Sequence, residues 1–495
     1  MKPATLLVAG LAMIAALTLA SAPHARTKGA AAAPETFSAE ALRADFQEMY
    51  DRLKIAHIDL YAFTPKPVLD RAFDEALQSL NRPMTKDQAE ARFQLFLAQV
   101  KMGHTRIDPG RQAWSAYREA GGKAFPLSLR VVDGRVFVAD VTGASQVLRG
   151  DELVTLNGRP SRTWLDLTGA HVSAETRYMR DSLLEYWFPW LLWEEVGARE
   201  RFAVTVRRNG RLVRTTVEAR SRAEAAAFQA AQPPLLNLEQ PLRDARMLPG
   251  GVAYLRPGPF YNAEAKAEAD MYDNRAFVPF LDGAFESFLA AGASDLIIDL
   301  RGNPGGDNTF SDPMIAWFAT RPFRFFSEFK VRASPEAIAA NQARLDHDPV
   351  SAGEASRAYA AVYAGTAPGA VVDFPMKVAE PRPGRRFTGR VWLLIDRQSY
   401  SNTVSVAALV QDYGFGTVLG EATSDMATTF GAMEQFTLPR TGLVVGFPKA
   451  HIVRGSGDRR PLGVTPDVAI ASPVVQTPDD PVLRQAVAVV ARARP

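Results

Sequence analysis

The sequence predicts an α/β protein, with a parallel sheet in its C-terminal half and a separate β-rich unit ahead of it. Three observations lead there. Two apolar runs, SDLIIDL (294–300) and VWLLI (391–395), each pass through a polar turn into a helix-like stretch. That is the pattern of parallel strands buried on both faces. Residues from about 125 to 220 break instead into short strand-like pieces separated by Gly-containing turns. Ahead of them the chain carries apolar residues at helical spacing.

At 495 residues the chain exceeds what one hydrophobic core organises, so several domains are expected. Hydrophobic residues make up 47% and charged residues 22%, an ordinary globular balance, and the formal charge is only +3. No Lys/Arg run supports a nucleic-acid or membrane-surface partner. With no cysteine, disulfides, thiolate metal sites and lipid attachment through cysteine are excluded. Lys2 precedes LLVAGLAMIAALTLA and a run of small residues, which reads as an export signal over 1–22. Residues 23–36 follow as an Ala-rich leader. The expectation is a periplasmic or secreted protein with no stable membrane insertion after signal cleavage.

The remaining elements follow in order. An N-terminal helical segment spans 37–120. There Ser38 is placed to cap a helix carrying Leu42, Phe46, Met49 and Leu53, with Phe37 and Leu42 as a staple across the cap. Thr85 and Gln88 have capping-box spacing before Phe93, Phe96, Leu97 and Val100, and this second helix delivers KMGHTRI (101–107) at its end. Residues 121–222 hold FPLSLRVV, RVFVADV, ELVTLNG and RFAVTVRRNG, and within them LRGDELVTLNGRP (148–160) resembles a PDZ-like domain. Such domains add an extended peptide to a sheet edge. The core is expected over 223–475, with a cap-like insertion at 323–390 that is rich in Ala, Arg and Pro and lacks strand alternation. A C-terminal helix or tail occupies 476–495.

Two segments carry chemistry. LIIDLRGNPGGDN (296–308) places three glycines within five positions, which permits unusual backbone dihedrals and close approach of a ligand to main-chain N–H groups. It lacks the Lys-Ser/Thr ending of a P-loop, so an oxyanion turn and a purely structural turn both remain. The second segment, VWLLIDRQSYSNTVSVAALVQDYGFG (391–416), holds Ser399, Ser401 and Ser405 around a strand-to-helix turn. By its position Ser401 is either an ordinary helix N-cap or an exposed nucleophile.

The order of a GHT triplet, a PDZ-like module, LRGNPGG, QSYSN, GEATSD and LGVTPDV resembles the S41 family of serine peptidases, tail-specific and tricorn-core-like. The resemblance covers nearly all of the mature chain and implies a crotonase/ClpP-like parallel-sheet core. It also implies endoproteolysis of protein or peptide substrates selected through their C-terminal segment, without cofactor or metal. By resemblance Ser401 is the nucleophile, and Asn402 with Gly305 or Gly306 supplies the oxyanion hole. The lysine of the tail-specific branch is matched here by Met426, so the base implied is that of the tricorn-like branch, His104 of GHT. That branch has a serine before the histidine, where this chain has Gly103. It also has a glutamate three residues before the final Gly-Val, where this chain has Arg460. Asp458, in the same terminal loop, is the first choice for an orienting acid, with Glu434 and Asp425 as alternatives. Lys449 and His451 match no family position. A second reading is a catalytically silent peptide- or ligand-binding protein on the same scaffold.

Overall fold

A computed structural model describes residues 36–493, apart from 109, 234, 239, 267–269 and 348–352. The export signal and nearly all of the leader lie outside the described residues. The core is a six-stranded sheet ordered Val468–Ala469, Thr417–Gly420, Arg390–Ile395, Asp295–Asp299, Val252–Arg256 and Asp244–Leu248. All neighbours are parallel except the last pair, which is antiparallel. Both faces are covered, which is why the strands read as continuous apolar runs. Helices Phe277–Ala290, Asn308–Ala316 and Asn402–Tyr413 pack on one face against Leu255, Ile298, Leu393 and Ile395. Helix Pro481–Arg492 covers the other through Val482, Ala486 and Val490, against Ile297, Trp392 and Leu394.

The β-rich unit is a six-stranded antiparallel sheet. Its path runs Leu127–Val132, Arg135–Val141, Glu152–Leu156, Arg201–Arg208 and Arg211–Glu218, with Arg159–Pro160 pairing back on Glu152–Leu156. Asp133-Gly134, Asn157-Gly158 and Asn209-Gly210 all have positive φ, the conformation that two-residue hairpin turns demand. Helices Ser161–Gly169 and Arg177–Val196 close this module over Trp164, Leu183 and Phe188.

The N-terminal segment forms helices Ala39–Ala56, Lys66–Ser79 and Lys86–Leu97. Ser38 caps the first, and Thr85 with Gln88 forms a full capping box on the third. Their apolar faces join Phe436, Val445 and Phe447 of a second sheet, so they are part of the molecule's core rather than an appendage. That sheet is ordered Val371–Asp373, Phe326–Arg332, Val444–Arg454 and Thr429–Thr437. Residues 323–390, read from the sequence as a cap, thus contribute a strand paired antiparallel to Val444–Arg454 as well as helices Pro335–His347 and Gly353–Ala364. The strand was hidden because its side chains are nearly all half-buried, so no clean alternation appears.

One buried ion cluster ties the LRG segment to the C-terminal helix. Arg301 donates to both oxygens of Asp299 at 3.0 and 2.7 Å and to both of Asp480 at 2.9 and 2.6 Å. Asp480 also caps helix Pro481–Arg492. Burial pushes the Asp299 carboxyl upward, but the Arg301 and Arg256 charges and the Arg301 bonds outweigh it and hold it at about 2. Its contribution is full above the unfolded value of 3.8 and is lost as the pH falls through about 2. Removing the shared cation strands two carboxylates. Arg301→Met should therefore cost about 3–5 kcal/mol in chemical unfolding at neutral pH; unchanged stability would show that solvent reaches the cluster.

Candidate active site

Ser401 sits at the tip of the turn between strand Arg390–Ile395 and helix Asn402–Tyr413, with φ 54° and ψ −123°. A serine rarely adopts a positive φ, and such strain persists only where its surroundings impose it. Here they do. The Tyr400 N–H donates to the Asn303 carbonyl at 3.0 Å, and the Ser401 N–H donates to Asp425 Oδ2 at 2.7 Å. The Ser401 side chain caps no helix amide, so the N-cap role is vacant despite the residue's position. The other two serines differ. Ser399 is fully buried and donates to the Leu300 carbonyl at 2.8 Å, while Ser405 lies within the helix.

The glycine turn packs directly onto this tip. A Cβ on Gly305 would stand 2.6 Å from the Tyr400 carbonyl and 2.8 Å from the Asn402 nitrogen, and Gly305 has φ 93°. The close approach therefore requires glycine. The Gly305 N–H donates to Asn303 Oδ1 at 3.0 Å and is engaged there. Gly306 is exposed, and neither its N–H nor that of Asn402 is taken up by a main-chain bond among the described residues. Gly305 thus provides room, and Gly306 and Asn402 offer the free amides. An amide at the first position of a helix also carries the dipole's positive end.

His104 reaches the same region from the N-terminal segment. Antiparallel bridging of Arg106 to Gly446 pins its loop, with bonds of 3.2 and 2.9 Å, and the Ser173 hydroxyl donates to the Thr105 carbonyl at 2.7 Å. The His104 ring lies 6.5 Å from that of Tyr400, the residue before Ser401. It is buried, and its Nδ1 has no partner. Burial first, then the Arg106 charge, depresses its pKa to about 4, against a smaller opposing effect of the Phe430 carbonyl. The imidazole is therefore neutral and proton-accepting across the physiological range. No hydrogen bond joins it to Ser401 in this arrangement.

The acids named from the sequence separate clearly. Asp458 is not brought to His104: both its oxygens pair with Arg460, at 2.6–3.0 Å. Glu434 is enclosed by Arg344 and Lys449. That pairing also removes Lys449 as a base, and His451 stacks on Phe430 with centroids 4.8 Å apart. Asp425 lies at the Ser401 turn, but its two oxygens accept the Ser401 and Met426 N–H groups. Burial lifts its pKa to about 6, against those two bonds. Met426, at the lysine position, is buried beside it. Sequence reasoning passed over Glu175 and Tyr400. The Glu175 Oε1 accepts the Gly103 N–H at 3.1 Å, while its Oε2 and the Tyr400 hydroxyl are buried without partners.

A strained serine at a strand-to-helix turn, free amides beside it and a neutral imidazole nearby define the layout of a serine hydrolase. The comparisons make this specific. Residues 276–470 match the model of Peptidase family S41, which supports a serine-type peptidase. Among solved structures, mature CPAF aligns with a TM-score of 0.59 at 13% identity, over 87% of this chain and 92% of that one. Mature CPAF complexed with lactacystin gives 0.56 at 15%, over 92% and 97%. These share the fold. No curated protein matches the sequence.

Because the turn tolerates no Cβ at 305, Gly305→Ala should displace the Asn402 amide and lower turnover by about a hundredfold or more, the scale of losing one oxyanion donor. Steady-state peptide hydrolysis by the folded variant checks this; wild-type kcat would mean that the turn does not contact the reacting carbonyl.

Proposed function

We propose that this protein is an exported serine endopeptidase that cleaves protein or peptide substrates with Ser401 as nucleophile and His104 as base. The observation that carries the reading is the backbone of Ser401: a strained φ of 54° on a residue whose side chain caps nothing, held against two free amides. In the reaction the Ser401 oxygen attacks the scissile carbonyl as its proton passes to His104. The Asn402 and Gly306 amides hold the oxyanion, and the imidazolium then protonates the departing amine. The imidazole must turn or move to meet Ser401, and substrate binding would supply that step. The missing Ser401–His104 bond, with Gly103 and Arg460 at family positions, favours the second reading of a silent peptide-binding protein.

A fluorophosphonate probe separates the two. Wild type should label, Ser401→Ala should not label at all, and His104→Ala should label about a hundred- to ten-thousandfold more slowly. Folded wild type that neither labels nor cleaves unfolded protein would support the silent reading.

Selection through a substrate's C-terminal segment is the finer part of the proposal, and it involves the PDZ-like module. At the outer edge of strand Leu127–Val132, the Val131 N–H donates to Glu185 at 2.8 Å and its carbonyl accepts from Arg397 at 2.7 Å. An incoming peptide strand must displace these side chains. Peptides with a free C-terminal carboxylate should be cut faster than their amidated forms, and the full-length chain should fractionate outside the cytoplasm. Equal rates would remove C-terminal selection, and retention in the cytoplasm would remove export.

A further inference from the structure

The family's orienting acid has no counterpart at Arg460, and the serine before its histidine is here Gly103. Three buried polar atoms without partners, Glu175 Oε2, His104 Nδ1 and the Tyr400 hydroxyl, belong to groups that meet around Gly103 and His104. Leaving a buried polar atom unpaired is costly, so three such atoms on neighbouring groups call for an explanation. Two of them flank Gly103, where the Met179 methyl fills the space of the missing side chain, 2.7 Å from where a Cβ would stand. A Cβ on Gly103 would stand 3.3 Å from the Tyr400 hydroxyl and 3.4 Å from Glu175 Oε2. Glu175 is already fixed there, because its other oxygen accepts the Gly103 N–H at 3.1 Å. It lies in the short connection between helices Ser161–Gly169 and Arg177–Val196, so the antiparallel module delivers it to the site. Asp458, Glu434 and Asp425 are each committed to other donors.

We infer that Glu175 is the positioning acid for His104, its free oxygen accepting the imidazole Nδ1–H when the ring engages Ser401. The inference rests on the Ser401–His104 reading above. During attack the Ser401 proton moves to the far ring nitrogen, the Nδ1–H stays bonded to Glu175, and the carboxylate balances the imidazolium. When the intermediate collapses, the ring returns that proton to the leaving amine nitrogen as the C–N bond breaks. Glu175 gains and loses no proton in the cycle.

The groups facing Glu175 are Asp425 from the loop after strand Thr417–Gly420 and Tyr400 from the turn at Ser401, while Arg106 and Asp108 of the GHT loop act on Tyr400. Burial, and secondarily the Asp425 charge, lift the Glu175 carboxyl to about 8, against the Gly103 N–H bond. Tyr400 is kept neutral by burial and is a donor available to the ionised form. The competent state has Glu175 ionised and His104 neutral. Activity should therefore climb with pH and level off above about 8, since His104 has already lost its proton near 4.

The test is the pH profile of kcat/KM for wild type, Glu175→Gln and Glu175→Asp, each verified as folded by its thermal transition. Glu175→Gln should lower kcat about a hundredfold or more with little change in KM, and should abolish the rise toward pH 8. Glu175→Asp should recover part of kcat and keep the rise. Wild-type kcat and an unchanged profile in Glu175→Gln would overturn the inference. Nitrogen NMR of the histidine rings, with His104→Gln to assign the signal, reads the contact independently of turnover. The His104 resonances should sense a second titration near 8 in wild type and lose it in Glu175→Gln. If wild type is inert, the peptidase reading falls; identical His104 titrations in the two proteins overturn the Glu175 contact itself.

Discussion

The site depends on an absence. Gly305 has no side chain, and the backbone of Tyr400, Ser401 and Asn402 lies in the space a Cβ would fill. The two turns belong to neighbouring parallel strands, Asp295–Asp299 and Arg390–Ile395, whose C-terminal ends open on the same edge. Their approach is closed by the Tyr400 N–H on the Asn303 carbonyl, and below it by the Gly302 N–H on Asp396 at 3.0 Å. The parallel sheet thus sets the register of the Ser401 turn against a glycine turn. Ser401 cannot relax its φ without breaking bonds on both sides. Strain at Ser401 is a property of the sheet rather than of the serine.

The proposed base comes to that point from elsewhere in the chain, and almost 300 residues separate His104 from Ser401. The capping box at Thr85 fixes where its helix begins, and the Arg106–Gly446 bridge fixes where the loop beyond it lies. Helices Ala39–Ala56 and Lys86–Leu97 are held by the same aromatic core as strands Thr429–Thr437 and Val444–Arg454. These packing contacts hold the loop of His104, whereas the turn at Ser401 is held by its own bonds to Asn303 and Asp425. Ser401 and His104 therefore hang on different packing clusters, and no bond joins them in this arrangement.

Much of this was legible in the sequence because it is local. The apolar runs at 294–300 and 391–395, the Thr85–Gln88 capping box and the Asn-Gly turns each encode their structure within a few residues. Ser401 and Gly305 could be named from motif order, although their strain and contact distances could not. The acids were not legible, because proximity in sequence says little about proximity in space. Asp458 lies in the loop of Arg460, and that adjacency is what engages it, since Arg460 folds back onto it. Glu175 carries no motif. Its signal is tertiary: a carboxylate oxygen left unpaired beside a glycine that stands where the family has a serine. The strand Phe326–Arg332 was hidden for a related reason, since a strand half-buried along nearly its whole length leaves no alternation to read.

The GEAT motif illustrates how a family signature becomes physics. Gly420 has φ 116°, and a Cβ there would stand 2.1 Å from the Ile395 carbonyl, so the strands could not pair with any other residue. Glu421 binds Arg397 at 2.6 Å and Arg130 at 3.0 Å, while Glu185 binds the same two arginines at 2.8 and 3.2 Å. Thr423 exchanges bonds with Val464, its amide donating to the carbonyl and its hydroxyl accepting the Val464 N–H at 2.8 Å. The alternating ring of two arginines and two glutamates joins the antiparallel module to the residue four positions before Ser401. Buried ion pairs of this kind add little net stability against apolar substitutes, but breaking one partner is expensive, so they fix orientation. Tyr400 reinforces the ring by placing its side chain in the module's own hydrophobic core. The Ser401 turn is thus built jointly by the sheet and the module, and a shift of the module would be felt at Ser401.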